Sequence, residues 1–309
     1  MQFSFLHNTT IDFIGKRYIF FGVSAVLFLV GLASLIARGG PNYSIDFTGG
    51  ILVQVAFNQP VALDDVRSSL IAGGIEKLEL QSSRNAVIIR AKKQDINQDE
   101  FSNKVMGLLK AKFPNNPIVV ERTEYVGPTV GKHLATQAFN ALVFSFLGII
   151  IYVAFRFHSS IWGASGVFGI MHDVFVVFGL FALFNKEINL TSIAAFLTIA
   201  GYSINDTIVV FDRLRENLRY LAKEDYATVI NRTINQTLSR TVITSLTVFL
   251  VALALFFMGG EVIHDFAFAM LLGVVIGTYS SIYVCTPLVF EWEQYKRRRT
   301  AKFAKPYKK

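Results

Sequence analysis

Apolar residues along this chain fall into six long runs, which cover residues 18–36, 138–155, 161–184, 188–211, 242–258 and 266–289. Each run is close to the roughly 20 residues that a helix needs to cross a bilayer. A spanning helix satisfies its own backbone hydrogen bonds, which hydrocarbon cannot do for it. We therefore predict an α-helical polytopic membrane protein with six transmembrane helices.

The stretch between the first and second runs, residues 37–137, is long enough to form a domain of its own. Its apolar spacing predicts strands at residues 51–57, 78–81, 86–91 and 118–126, and helices at residues 63–72 and 101–113. The resulting βαββαβ order is that of an α+β ferredoxin-like domain. This pattern leaves open whether the domain is a rigid spacer or touches a substrate directly.

The positions of Lys and Arg predict the orientation, because short cytoplasmic loops carry an excess of both. These residues precede the first run, lie between the fourth and fifth runs, and fill the tail at residues 291–309. Both termini are therefore expected in the cytoplasm and residues 37–137 outside it. We predict an interfacial segment at residues 1–17, an uncleaved first helix at residues 18–36 and the other five helices within residues 138–290.

The composition agrees with a membrane protein and limits its chemistry. Hydrophobic residues make up 52% of the chain and charged residues only 17%. The net charge of +8 lies next to the membrane ends, which favours contact with lipid headgroups over nucleic acid. Cys285 is the only cysteine and the five histidines are scattered. No phosphate loop or nucleophile elbow occurs, so we expect no metal, no cofactor and no enzymatic activity.

An Asn-Asp pair, Asn205 and Asp206, interrupts the fourth apolar run within the sequence GYSINDTIVVFDRLREN. A charged side chain in the centre of a bilayer costs about 2.5 to 3.5 kcal/mol on insertion scales. Such a group usually faces a protein partner, a water-filled path or a proton relay. Tyr202 and Ser203 lie about one helical turn earlier and can offer hydroxyls to the same face. Asp206 is therefore the first candidate for a functional residue.

Two further sites are less specific. Asp173 follows His172 in the third run, and the two could form either a titratable pair or a packing contact. Asp46, Gly49 and Gly50 stand where the domain joins the first helix. Consecutive glycines allow a tight backbone, so this segment is either a hinge or a plain turn.

Motifs from one end of the chain to the other resemble those of a known family. They are IDFIGKR at 11–17, DFTGG at 46–50, VGPTVG at 126–131, the fourth-run motif above, SRTVITSLT at 239–247 and GTYSSIY at 277–283. In this order, and with one large loop after the first of six helices, they are similar to the SecF family of bacterial protein-export membrane subunits. The resemblance spans nearly the whole chain.

The resemblance implies a multi-pass protein of the bacterial inner membrane that joins SecD in the Sec translocase. It implies action beside the SecYEG channel, at times with YajC, on unfolded preproteins, driven by the proton motive force as in the related resistance-nodulation-division transporters. Six helices would then be half of a twelve-helix assembly.

Within that family, the positions of Asp206 and Arg240 are those assigned to proton transport. Thr244 lies one turn after Arg240 in the fifth helix. Asp206 would carry the proton reversibly, and Arg240 would bias its charge.

Other interpretations stay open at this point. Asn205 and Asp206 could only fix helix packing against SecD, as polar side chains do in membrane bundles, and Arg240 could only anchor the helix end. The chain could also be a half-size efflux or lipid transporter of the same superfamily, whose small domain binds a small molecule. A third possibility is a subunit that only stabilises the translocase.

Overall fold

The computed structural model describes residues 9–75, 78–83, 86–91, 98–157 and 159–303. The first eight residues of the predicted interfacial segment, residues 84–85 between two predicted strands and the last six residues of the basic tail lie outside the described residues. The chain divides into two compact units, one of residues Tyr43–Ala141 and the other of Met1–Asn42 with Leu142–Lys309.

The elements follow one another in the order helix, small sheet domain, then five further spans. They are α1 (Arg17–Ala37), β1 (Asn42–Tyr43), α2 (Ile45–Thr48), β2 (Gly50–Phe57), α3 (Leu63–Ala72), β3 (Leu78–Ser83), β4 (Ala86–Ala91), α4 (Gln98–Lys112), β5 (Ile118–Val126), α5 (Pro128–Arg156), α6 (Ser160–Leu183), β6 (Glu187–Ile188), α7 (Leu190–Asn217), a 3₁₀ turn (Leu218–Ala222), α8 (Tyr226–Met258), α9 (Gly260–Ser280), a π-helical segment (Ser281–Cys285) and α10 (Thr286–Phe303). Six helical stretches among them are long and apolar enough to span a membrane, as the sequence predicted.

The small unit has the predicted βαββαβ order. Its four strands are antiparallel and lie in the order β3-β4-β2-β5, which is the ferredoxin-like arrangement. The central strand β2 pairs Val53 with Ile89 on one side and with Thr123 on the other. Apolar residues of α3 and α4, such as Leu70 and Phe101, close the core on one face of this sheet.

The larger unit is built around α6, α7 and the continuous helix of α9, the π-helical segment and α10, which are its most buried spans. Small residues bring helices together at two crossings. A Cβ at Gly31 in α1 would lie 2.8 Å from the Cα of Gly179 in α6, and one at Gly273 in α9 would lie 2.3 Å from Ile199 in α7. Close approach through small residues is the usual packing mode between spanning helices.

Helix α8 begins at Tyr226, 16 residues before the start of the predicted run at residue 242. Asp225 caps it by accepting a hydrogen bond from the Thr228 amide. The extension is amphipathic, with a buried face made by Tyr226, Val229, Ile230 and Ile234. A continuous apolar run marks only the part of a helix that spans the membrane. It does not reveal that the helix extends further as an amphipathic segment packed on protein.

The N-terminal segment lies on this extension of α8. The side chain of Asn235 accepts a hydrogen bond from the Ile11 amide, and that of Asn231 accepts from the amides of Phe13 and Ile14, each at 3.0 Å. Phe13 and Ile14 are buried in the core of the helical unit. Both residues belong to the predicted interfacial segment, and both pack against protein.

Candidate functional site

Asp206 lies half-buried in α7, and two other helices supply its hydrogen-bond donors. The Thr241 hydroxyl in α8 donates to Oδ1 at 2.6 Å. The Ser281 hydroxyl, at the start of the π-helical segment, donates to Oδ2 at 2.5 Å. A hydroxyl can donate to a carboxylate or rotate to accept from a carboxylic acid, so this setting accommodates both protonation states of Asp206.

Arg240 is exposed on α8 and forms neither a hydrogen bond nor an ion pair with Asp206 among the described residues. Its charge still acts on Asp206 through space. Thr244, predicted to share a face with Arg240, is exposed as well. Successive residues on a helix point about 100° apart, and the neighbouring stripe, Thr241 and Ser245, is the one that faces the bundle. Arg240 and Thr244 therefore lie beside the contact with Asp206 and do not form it.

The other polar residues predicted near Asp206 point in three directions. Tyr202 donates its hydroxyl to Ser245 in α8 at 3.0 Å. Ser203 is buried and donates to Asp173 in α6 at 2.5 Å. Asn205 is exposed on the surface of α7. The polar cluster predicted from the sequence is thus divided between a partly buried network, a buried network and the surface.

Asp173 is the centre of the second network and is completely buried, with 0% of its surface exposed. Its Oδ1 lies 2.9 Å from Nδ1 of His172. Its Oδ2 accepts from Ser203 and, at 2.7 Å, from Ser280 in α9. All three partners are side chains inside the helical bundle, so Asp173 belongs to an interior polar site and not to a lipid-facing surface.

Four consecutive residues of α9 and the π-helical segment connect these networks. Thr278 bonds to Ser245 of α8 at 2.6 Å, and Tyr279 donates to the carbonyl oxygen of Phe20 in α1 at 2.5 Å. Ser280 donates to Asp173 of α6, and Ser281 to Asp206 of α7. The motif GTYSSIY contains these residues, and none of them was predicted to hold a carboxyl group. The detectable signal was a run of four hydroxyl residues inside an apolar helix.

The glycine segment of the small unit forms a tight contact. Gly49 and Gly50 have φ values of +69° and +142°, which strongly favour glycine. A Cβ at Gly131, in the first turn of α5, would lie 2.9 Å from the Gly49 amide nitrogen. Asp46 is in α2, where the Ser44 hydroxyl accepts from the Asp46 amide. Gly49 and Gly50 therefore hold the start of β2 directly against the start of α5.

Six spanning helices, a ferredoxin-like domain after the first of them and carboxyl groups inside the bundle define a multi-pass membrane protein with an ionisable interior. The model of the family described as "Protein export membrane protein SecD/SecF, C-terminal" matches residues 108–295, and that of the "SecD/SecF GG Motif" matches residues 34–61. The chain belongs to the SecD/SecF family of protein-export membrane proteins.

Similar proteins are named as protein translocase subunit SecF. One from Endomicrobium trichonymphae is 53% identical over 93% of each chain. One from Thermodesulfovibrio yellowstonii is 43% identical over 92% of this chain and 95% of the relative. The crystal structure of SecDF from Thermus thermophilus, described as a translocon-associated membrane protein, superposes with a TM-score of 0.83 at 37% identity. The match covers 94% of this chain and 39% of that SecDF chain, so this chain spans about two fifths of its length.

Proposed function

We propose that this chain is the SecF subunit of a SecD/SecF complex. The complex uses the proton motive force to promote late translocation and release of unfolded preproteins across the bacterial inner membrane. It acts beside the SecYEG channel and with YajC. The relatives of similar length are SecF subunits, and a single SecDF chain combines a region like this one with about three fifths of additional sequence. SecD supplies that missing part in the proposal.

The observation that carries the proposal is the setting of Asp206. A carboxyl group in a spanning helix is held at both oxygens by neutral hydroxyls, from Thr241 and Ser281, and has no direct basic partner among the described residues. Loss or gain of one proton changes the charge of this site inside the membrane. One charge moved through 100 mV is worth about 2.3 kcal/mol, which is more than a tenfold change in a two-state equilibrium.

Two exposed stripes support a partner inside the membrane. On α7 the exposed stripe consists of small or polar residues, namely Ala194, Thr198, Gly201 and Asn205. On α8 it contains Arg240, Thr244 and Thr247. Polar and charged side chains are costly against lipid, and small residues are typical of helix contacts. SecD is proposed to cover these stripes, which brings its own side chains near Arg240 and Asp206.

The direction of insertion follows the distribution of basic residues. Arg213, Arg215 and Arg219 follow the apolar part of α7, and Arg297, Arg298 and Arg299 end the sixth span. The excess of Lys and Arg on cytoplasmic sides supports the proposed orientation, with both termini in the cytoplasm and the ferredoxin-like domain in the periplasm. In the proposal, the contact of Gly49 with Gly131 is the hinge through which α5 moves the sheet.

The experiment is preprotein translocation into inner-membrane vesicles, measured with and without a proton motive force at equal abundance of SecD and the chain. In Asp206→Asn the proton-dependent part of translocation should fall at least about tenfold, because asparagine cannot change its charge. The control is Asp212→Asn, the same substitution six residues later on α7, where the carboxylate pairs with Arg156. Asp212→Asn should retain the proton dependence.

Two results would contradict the proposal in different ways. Full proton dependence in Asp206→Asn would remove this residue as the carrier and leave a structural subunit. Loss of SecD from purified Asp206→Asn complexes would assign Asn205 and Asp206 to packing. Co-purification of SecD must therefore be measured on the same membranes.

A further inference from the structure

Asp173 is a buried carboxyl group that the proposed proton carrier does not explain. It is fully enclosed, and its partners His172, Ser203 and Ser280 include no Lys or Arg. A buried carboxylate without a positive partner is expensive in a protein interior, and more so in a membrane. Three donors reduce that cost without removing the charge. A proton bound by Asp173 would remove this cost.

His172 lies against one oxygen of this carboxyl group. Its Nδ1 points at Asp173, while its Nε2 is buried and has no hydrogen-bond partner among the described residues. A neutral imidazole carries one N–H and one bare nitrogen. With the N–H on Nδ1 and Asp173 ionised, the pair has a net charge of −1. One proton added to the carboxyl group makes the pair neutral, and only an O–H bond forms.

The groups that face this pair are aromatic, a thiol or acidic. An added proton is therefore the main way in which the negative charge of the pair can be neutralised. Tyr279 of α9 has its ring 6.5 Å from the His172 ring. The Cys285 thiol lies against Gly169, one turn before Asp173. From α1, Phe28 packs on Phe175 of α6. Asp206 lies three residues after Ser203 on α7, and no Lys or Arg contacts His172 or Asp173 among the described residues.

Adjacent hydroxyls couple this pair to Asp206. Ser280 donates to Asp173 and Ser281, the next residue, donates to Asp206. On α7, Ser203 contacts Asp173 from a position three residues before Asp206, about 4.5 Å along the axis. The π-helical segment begins at Ser281, and such insertions occur frequently at functional sites. A rotation of α9 would therefore alter the hydrogen bonds of both carboxyl groups together.

We propose that His172 and Asp173 form a second proton-binding site, coupled to Asp206 through the hydroxyls of Ser280 and Ser281. The role of this coupling in export rests on the proposed function; the binding of a proton does not. Two negative charges held by adjacent hydroxyls in a low-dielectric interior disfavour each other. Protonation of one site therefore favours ionisation of the other, and the two titrate as a coupled system.

The test is pH-difference infrared spectroscopy of the complete chain, co-reconstituted with SecD in lipid vesicles. A protonated carboxyl group has its own C=O stretching band, separate from that of a carboxylate. The wild type should show two such bands that titrate with pH. Asp173→Asn should remove one and Asp206→Asn the other, while Asp212→Asn should remove neither. In each single variant the remaining band should change its pH midpoint by about one unit or more, as for strongly interacting sites.

The serines provide a second readout that does not depend on removing a charge. Ser280→Ala should shift the frequency of the band assigned to Asp173 and leave that of Asp206, and Ser281→Ala should do the reverse. These variants also serve if Asp173→Asn does not assemble.

Each contrary outcome has a separate meaning. A wild-type spectrum in Asp173→Asn, or no response of any band to Ser280→Ala, would overturn the second site. An unchanged pH midpoint of the remaining band in each single variant would overturn the coupling. A wild-type protein that shows the Asp173 band and no Asp206 band would contradict the proposed proton carrier and leave the second site intact.

Discussion

Both carboxylate oxygens of Asp206 accept a hydroxyl hydrogen bond, one from Thr241 and one from Ser281. A guanidinium at the same place would hold the carboxylate in its ionised form, because an opposite charge nearby favours it. Hydroxyls stabilise either protonation state after a rotation about one bond. Neutral partners of this kind suit the proposed proton carrier, on which Arg240 acts at longer range.

Thr241→Val tests this arrangement, because valine keeps the shape of threonine and removes the donor. A hydrogen bond to a charged group contributes about 1.5 to 3 kcal/mol, so the proton-driven part of translocation should fall about tenfold. Thr244→Val is the matched control, since Thr244 is exposed on the same helix. It should change the rate less than about threefold. The reverse order of effects would mean that the stripe of Arg240 and Thr244 faces Asp206 in the working complex.

Asp12 anchors the N-terminal segment by accepting hydrogen bonds at Oδ1 from the Gly15 amide and the Asn231 side chain, both at 2.8 Å. These hydrogen bonds lower the pKa of Asp12 below its ordinary value, and the bond from Gly15 has the larger effect. The ionised form is therefore favoured in the docked state. The stability that the ionised Asp12 carboxylate gives to the docked segment is complete above the ordinary pKa of about 4. It is lost as the pH falls through the lower pKa of the docked state.

Hydrogen exchange of the amides of Phe13, Ile14 and Gly15 measures this docking. After correction for the intrinsic rate, protection should stay constant from pH 7 to about pH 5 and decrease in more acidic solution. Asp12→Asn keeps an acceptor for Gly15 and removes the charge, so its protection should be lower at pH 7 and independent of pH. Equal pH dependence in the variant and the wild type would show that another group controls the segment.

At the scale of elements, the spans were predictable because a bilayer imposes length and apolar composition on every helix that crosses it. The sheet domain was predictable from the alternation along β2 and β4 and the spacing along α3 and α4. The network around Asp206 was not. Helix α8 carries hydroxyls on two neighbouring stripes, one with Thr241 and one with Thr244, and sequence alone does not show which stripe faces α7. Only packing of the helices selects Thr241.

The crossing of α1 and α6 depends on two glycines in contact. A Cβ at Gly31 would lie 2.8 Å from the Cα of Gly179, which is backbone and cannot move aside without separating the helices. Gly31→Ala should therefore destabilise the protein by about 1 to 3 kcal/mol, the usual cost of overpacking. The measurement is the thermal unfolding midpoint of the purified protein.

Gly22→Ala is the control on the same helix, since among the described residues no atom beyond the surrounding helix backbone lies within 4 Å of the added Cβ. It should leave the midpoint unchanged or raise it slightly, because alanine favours helix. Equal destabilisation by both substitutions would show that the effect belongs to the sequence of α1 and not to its crossing with α6.

For the whole molecule, the question is which exposed surface meets lipid and which meets a partner. Helix α8 carries two exposed stripes with different chemistry. One is made of large apolar residues, including Leu246, Leu250 and Phe257, and suits hydrocarbon. The other begins with Arg240 and Thr244 and does not. A twelve-helix assembly built from two such halves would bury the second stripe and leave the first in lipid.

Spin labels at single introduced cysteines can distinguish these surfaces in vesicles, since Cys285 is free and has 0% exposure. Labels at Asn205→Cys and Thr244→Cys should lose access to a lipid-soluble relaxation agent when SecD is co-reconstituted. A label at Leu246→Cys should keep its access with or without SecD. Protection of Leu246 together with continued access at Asn205 and Thr244 would place the partner on the apolar stripe. That result would leave Arg240 facing lipid, where it could not be part of a shared proton path.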